Sequence, residues 1–317
     1  YALVDTGSVD PANPGATAAD ERGSRAVSSV FEPGSTSKVI TMAALLEEGF
    51  ATPTSRYIAP DSWTNSAGET FTDAHDHEDW ALTLTGVLAR SSNTGTIRAG
   101  SPLSLDQRYD YLQAFGFGER TDVGLPGESR GIMRTPDQWF GRTQDAVLFG
   151  QGVAVTAVQQ TQVFATIANG GVRVSPTVVA GLQNEERVFQ PRVVEEPVQV
   201  VSEQTADQLM SMLESVVTDG TGAKAEIPAY RVAGKTGTAQ AAGPSGEMTE
   251  IVASFVGIAP ADDPRIVVSV FMFNPQTSIW GGDVAAPVFR DVATHTLHTL
   301  QVAPSSGERQ AYPLTWE

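Results

Sequence analysis

The sequence predicts an α+β fold, an antiparallel sheet flanked by helices with a mainly helical lobe inserted. Two observations predict it. Apolar residues at helical spacing fill the middle of the chain, whereas the pattern from residue 230 onward changes to β-rich runs. That segregation marks α+β rather than alternating units. The last two runs, Ile251 to Ile258 and Arg265 to Phe273, are joined by Ala259-Pro260-Ala261-Asp262-Asp263-Pro264, a hairpin-length connection. The 317 residues suffice for one large domain. Its α/β part is expected over about 1–60 and 220–317, and the lobe over about 61–219.

In order, residues 1–5 read as the end of a strand and 6–29, rich in Gly, Pro, Ala, Asp and Ser, as a loop. A helix follows the turn signal Pro33-Gly34 and ends near Glu48, with Gly49 as its C-terminal cap. Residues 51–80 are polar and irregular. In their middle lies Asp73-Ala74-His75-Asp76-His77-Glu78-Asp79. His-x-His beside carboxylates can hold a metal, but the run reads as a solvated acidic loop and no metal site is assigned. Residues 82–90 read as a helix leading into Ser91-Ser92-Asn93, with a break at Gly100-Ser101-Pro102. Leu105 to Phe115 is the next helix, closed by Gly116, and 118–145 is loop-rich. Gly150-Gln151-Gly152 precedes a helix from Thr156 to Ala168. Short strands are expected over 172–201, then a helix from Glu203 to Val217 with Leu209, Met210, Leu213, Val216 and Val217 at 3–4 spacing. Tyr230 to Gln240 opens the β-rich part, and 284–300 is a final amphipathic helix.

Composition narrows the function classes. A net charge of −17 argues against nucleic acid or an anionic membrane surface as the main partner. No apolar run reaches the ~18 residues needed to span a bilayer. With zero cysteines, disulfides and thiolate metal sites are impossible. The start at Tyr1 without Met reads as a cut from a longer protein, so any anchor would lie upstream.

The chemistry is concentrated in Ser35-Thr36-Ser37-Lys38. Ser35 falls in the first helical turn, with Lys38 one turn on along the same face, about 5–6 Å away at Cβ, so the ammonium can fold back onto the hydroxyl. A Ser hydroxyl needs an adjacent base, and a desolvated Lys can be one. Backbone N–H groups of the first turn can stabilise an oxyanion. Alone, Ser-x-x-Lys is a weak signal, equally a helix start with an exposed Lys. The lysine count strengthens it. The chain has three lysines (Lys38, Lys224, Lys235) against seventeen arginines. Two of the three fall in motifs, where a guanidinium, always protonated, could not act as a base.

Ser35-x-x-Lys38, Ser91-Ser92-Asn93 and Lys235-Thr236-Gly237-Thr238 occur in the order and type found in penicillin-binding proteins and serine β-lactamases. Phe31-Glu32-Pro33-Gly34, Gly150-Gln151-Gly152 and Gly220-Thr221-Gly222 flank them. On these motifs the chain resembles, over residues 1–300, the transpeptidase domain of class B penicillin-binding proteins. The run Asp73 to Asn93 and the tract Gly281 to Phe289 are most like the division-specific (septal) branch. Set against the resemblance, the family's usual first strand reads as missing or cut into, as do its N-terminal membrane anchor and pedestal domain.

The resemblance implies a peptidoglycan D,D-transpeptidase that crosslinks stem peptides through a Ser acyl-enzyme. Ser35 attacks the penultimate D-Ala carbonyl and Lys38, with its pKa lowered from ~10.4, takes the proton. Ser91 relays a proton to the leaving D-Ala, and Asn93 holds Lys38. Lys235, Thr236 and Thr238 bind the terminal carboxylate, and Gly237 lets the strand edge approach the ligand. The N–H groups of Ser35 and Thr238 form the oxyanion hole. No cofactor is implied. The expected partners are stem peptides, β-lactam antibiotics, a glycosyltransferase and other wall-synthesis or divisome proteins. The expected place is the bacterial cell membrane, with the catalytic domain on the extracytoplasmic side. Rival readings are a D,D-carboxypeptidase with the same site, a β-lactamase, for which no placed deacylating base is found, and a non-enzymatic β-lactam sensor or scaffold. Lys224 reads as a solvated charge and Trp280 as packing.

Overall fold

The computed structural model describes residues 3–5, 7, 9–10, 12–18, 22–193, 195–242 and 247–317. The sheet expected at the end of the chain forms from β9 (Ala233–Ala242), β10 (Met248–Ala259) and β11 (Ile266–Phe273), in the order β11-β10-β9 and antiparallel throughout. Two-residue alternation divides β10 between two cores. Phe255 and Ala259 face α9 (Gly281–Thr299), which contributes Ala285, Ala286, Phe289, Ala293 and Leu297. Val256 and Ile258 face a larger core shared with α2 (Lys38–Glu47) and α8 (Glu203–Thr218). Lys38 to Leu46 of α2 are all buried, so this mostly apolar helix is central. Gly49 follows it at φ +68°, the left-handed cap expected there.

The lobe carries more strand than its sequence reveals. Residues 3–5 pair with no described strand, and Tyr1 and Ala2 lie outside the described residues. Val4 is exposed, and Asp5 is held by the Arg25 guanidinium at 2.6 Å instead. The loop over 6–29 contains a short helix, α1 (Arg25–Ser28). The stretch expected to be irregular holds β1 (Arg56–Ala59), β2 (Ser62–Thr64), β3 (Thr70–Thr72) and β4 (Trp80–Thr83), with β1 paired to β4 and β2 to β3. Ribbons of three or four residues are too short for a period to show. Only Phe71 of β3 is buried, between exposed threonines.

The helix expected from residue 82 therefore begins two residues later, as α3 (Leu84–Arg90), with the Thr83 side chain accepting from Gly86 N. After it come α4 (Asn93–Gly100), α5 (Leu105–Ala114), α6 (Thr143–Ala146) and α7 (Ala157–Ala168). Helix α4 stops at Gly100, and both α5 and α7 open with capping boxes, from Ser104 and Gln107 and from Thr156 and Gln159. Between α7 and α8 run the two-stranded pairs β5 (Val172–Arg173) with β8 (Val198–Gln199) and β6 (Gly181–Gln183) with β7 (Phe189–Pro191).

Beyond α9 the chain returns to the lobe. Thr83 N donates to Leu314 O at 3.0 Å, Trp316 N to Ala81 O at 3.2 Å, and the Trp316 indole to Leu82 O at 3.0 Å. The tail thus lies along the free edge of β4.

Candidate active site

Ser35 sits in a 3-10 turn, Gly34–Ser37, that feeds directly into α2. Three contacts clamp this turn. Gly34 N donates to Gly150 O at 3.0 Å, Gly152 N donates to the Glu32 carboxylate at 2.8 Å, and Phe31 exchanges backbone bonds with Val155. Burial raises the Glu32 carboxyl above its ordinary pKa. The Gly150-Gln151-Gly152 flank is therefore the back wall of the Ser35 turn.

Ser91 closes α3 in the left-handed conformation, φ 60° and ψ 32°. This aims its hydroxyl between two buried amines, 3.3 Å from Lys38 Nζ and 2.8 Å from Lys235 Nζ. The Ser92 side chain caps α4, so this residue, unassigned by the motif, has a structural task. Asn93 Oδ1 accepts from Lys38 Nζ at 2.8 Å, and the same ammonium donates to Ser91 O. Lys38 was expected to fold back onto the Ser35 hydroxyl. Its hydrogen bonds go instead to Ser91 and Asn93, whose oxygens satisfy a buried amine that must find its partners within the protein.

Both amines are fully buried. Burial pushes Lys38 down to about 7, against the opposing pull of the Asp73 carboxylate. Lys235 is pushed well below the usual lysine range, first by burial and then by the Lys38 charge. No carboxylate is among the causes that act on Lys235.

Strand β9 is the sheet edge, and its outer side faces the Ser35 turn. Glu32 N donates to Gln240 O on that side at 3.1 Å. By strand alternation the amides of Thr238 and Thr236 face the same way. Thr238 N is thereby turned toward the Ser35 turn. An added Cβ at Gly237 would lie 2.4 Å from Ser254 Oγ and 3.0 Å from Thr36 Cγ2, so only glycine fits there. Thr236 Oγ1 shares a 2.7 Å hydrogen bond with Thr221 Oγ1, and Lys235 Nζ donates to Thr236 O at 3.2 Å.

The structure brings Ser35, Lys38, Ser91, Asn93, Lys235, Thr236, Gly237 and Thr238 to one place. It adds Thr221, legible in the sequence only as part of a flanking motif, and Asp73 and His77, which sequence reasoning missed. Asp73 and His77 were read as part of a solvated loop, yet their side chains are only 4% and 6% exposed and lie 3.1 Å apart. Their i,i+4 spacing before Trp80 is the one signal that could have found them. Lys224 is paired with Asp283 at 2.8 Å, and Trp280 lies 4.8 Å from the His75 ring.

Ser91 yields one prediction. A non-glycine residue at positive φ carries about 1 kcal/mol of strain. Ser91→Gly should raise the unfolding free energy by about that amount in urea denaturation while lowering Ser35 acylation. Ser91→Ala should lower acylation without the gain.

A family model described as the penicillin binding protein transpeptidase domain matches residues 1–294. Penicillin-binding protein PbpB of Mycolicibacterium smegmatis is 38% identical over 321 residues, covering 96% of this chain and 49% of that protein. Peptidoglycan D,D-transpeptidase FtsI of Escherichia coli K12 is 33% identical, covering 96% and 50%. The chain thus spans about half the length of these curated relatives. Among solved structures, penicillin-binding protein 3 of Mycobacterium tuberculosis complexed with aztreonam superposes with a TM-score of 0.87 at 36% identity, covering 97% of this chain and 70% of that one. A peptidoglycan synthetase from Bifidobacterium adolescentis gives 0.88 at 35% identity, covering 94% and 55%.

Proposed function

Because the chain belongs to the penicillin-binding protein transpeptidase family, we propose that it is a peptidoglycan D,D-transpeptidase joining stem peptides through an ester on Ser35. The observation that carries this reading is the single Ser91 hydroxyl set between two buried, proton-poor amines beside the Ser35 turn.

The donor peptide lies along the β9 edge with its terminal carboxylate against Lys235, Thr236 and Thr238. That carboxylate supplies the counter-charge Lys235 lacks, so Lys235 takes up a proton. The new cation across Ser91 holds Lys38 in its neutral form. Ser35 Oγ attacks the penultimate D-Ala carbonyl as its proton passes to Lys38 Nζ, and the oxyanion sits between the amides of Ser35 and Thr238. Collapse breaks the peptide bond, and the proton leaves Lys38 through Ser91 Oγ to the departing D-Ala amine. An amine from a second stem peptide then attacks the ester, forms the crosslink and returns a proton to Ser35 Oγ. Asn93 keeps Lys38 in place throughout.

A β-lactam carries the same carbonyl and carboxylate and acylates Ser35. The likeness to FtsI and PbpB favours a role at the division septum, alongside a glycosyltransferase and other divisome proteins, on the extracytoplasmic face of the membrane. No helix among the described residues is long and apolar enough to cross a membrane, so this reading places the anchor outside them.

The test is intact-mass spectrometry after incubation with benzylpenicillin, followed by peptide mapping. A long-lived adduct on Ser35 is expected, formed faster as pH rises through about 7, where Lys38 loses its proton. Absence of an adduct with the drug intact overturns the reading, and hydrolysed drug points to a lactamase. A D-Ala-D-Ala substrate with and without an acceptor amine then separates transpeptidase from carboxypeptidase and sensor.

A further inference from the structure

The Asp73–His77 pair is buried, it touches the motif residues, and the mechanism above does not use it. Asp73 follows β3, and its Oδ1 accepts from the first backbone amides of α4, Asn93 N and Thr94 N, the latter at 3.1 Å. Two donors left without partners at the helix start are satisfied by one carboxylate. The neighbouring Thr72 O accepts from Asn93 Nδ2 at 2.9 Å. With its NH₂ group directed at β3, the Asn93 amide has only its oxygen left to face Lys38. The end of β3 therefore sets both the backbone position and the amide orientation of Asn93.

His77 backs the carboxylate. Its Nε2 lies 3.1 Å from Asp73 Oδ2 and its Nδ1 2.6 Å from Glu78 O. Both ring nitrogens lie against oxygen atoms, so the ring is held at each end. Trp80 stacks on this ring at 3.5 Å and 6° and covers it.

We propose that Asp73 and His77 are the positioning pair of this site, holding Asn93, and through it Lys38, in register with Ser35 from the end of β3. This rests on the assignment of Ser35 and Lys38 as nucleophile and base. Asp73 also acts through charge. Among the described residues, the titratable groups facing Lys38 are Asp73 from the β3 end and Lys235 from β9, while His77 faces Asp73 from the following loop. Asp76, Glu78 and Asp79 of that loop are exposed. The Asp73 carboxylate favours the protonated form of Lys38.

Asp73 bears on Lys38 through charge and His77 bears on Asp73 through a hydrogen bond, so each has its own readout. Asp73→Asn keeps an oxygen for the two α4 amides but removes the charge, so Lys38 should lose its proton at lower pH, by about one unit, a shift that a purely structural role cannot mimic. His77→Gln keeps a donor to Asp73, so it should acylate faster than His77→Ala, which loses the bond. With only three lysines in the chain, uniform ¹³C-lysine labelling and NMR follow each amine. Lys224→Arg and Lys38→Met assign the signals. A downward shift of Lys38 in Asp73→Asn, with His77→Gln acylating faster than His77→Ala, supports the pair. No shift in Asp73→Asn, or equal losses in the two His77 variants, overturns it. Acylation by benzylpenicillin is measured beside this, and Asp73→Ala should lower its rate about 10- to 100-fold, the value of one hydrogen bond to a charged group. If the parent protein takes no penicillin, the functional reading fails while the lysine titrations still decide the pair.

Discussion

Replacing Lys38 with methionine should lower the rate of Ser35 acylation by benzylpenicillin about a thousandfold, within the ~10²–10⁴ that a positioned base contributes. Methionine matches the apolar stem in a site with no solvent exposure and removes only the amine. Lys38→Arg should not restore activity, because the guanidinium holds its proton. Stopped-flow acylation on folded protein measures both.

The same variant should change how stability depends on pH. Lys38 releases its proton at about 7 in the folded chain, against an ordinary value of 10.5. Between these values the unfolded chain binds more protons, so unfolding becomes harder as pH rises. The parent should gain on the order of 2 kcal/mol between about pH 7 and pH 9 from this residue, and Lys38→Met should lose that gain. Urea titrations at the two pH values give the difference. An equal slope in both proteins would mean that Lys38 is charged in the core.

Gly150→Ala should damage the site from behind. Gly150 has φ +82°, and an added Cβ would lie 2.3 Å from Gly34 O, 2.8 Å from Gly34 N and 2.8 Å from Ser37 Cβ. Two of the three atoms are backbone of the Ser35 turn and cannot rotate aside. Left-handed strain of about 1–2 kcal/mol adds to overpacking of about 1–3 kcal/mol, so a loss of about 3 kcal/mol is expected in urea unfolding. The acylation rate of the protein that remains folded should fall too, since the turn must move. Gly127→Ala separates the two effects. Its φ is +78° with nothing within 4 Å of the added carbon, so it should show the strain alone and leave acylation unchanged.

Long elements are legible in this sequence and short ones are not. Helices α7 and α8 and strands β10 and β11 carry their helical spacing or β-rich composition over eight or more residues and lie within a few residues of where it places them. The ribbons β1 to β4 are too brief for alternation to register, and their partners come from other segments. Local chemistry also marks the motif residues, since a Ser and a Lys one turn apart after a Pro-Gly turn are readable together. What the Lys amine bonds to is not, because Ser91 and Asn93 lie more than fifty positions away. Asp73 and His77 sit in a run of charges that looks solvated. Only the fold shows that Trp80 and the start of α4 bury them.

The region matched by the family ends at residue 294, yet the fold closes only where Trp316 and Leu314 lie along β4. A fragment trimmed to the matched region would bare Ala81 O and Thr83 N on a short strand beside buried Leu82. An uncovered strand edge of this kind is a template for another chain. The last few residues therefore close that edge, and a fragment cut at residue 294 is expected to self-associate more readily than the whole chain, which light scattering on the two would show.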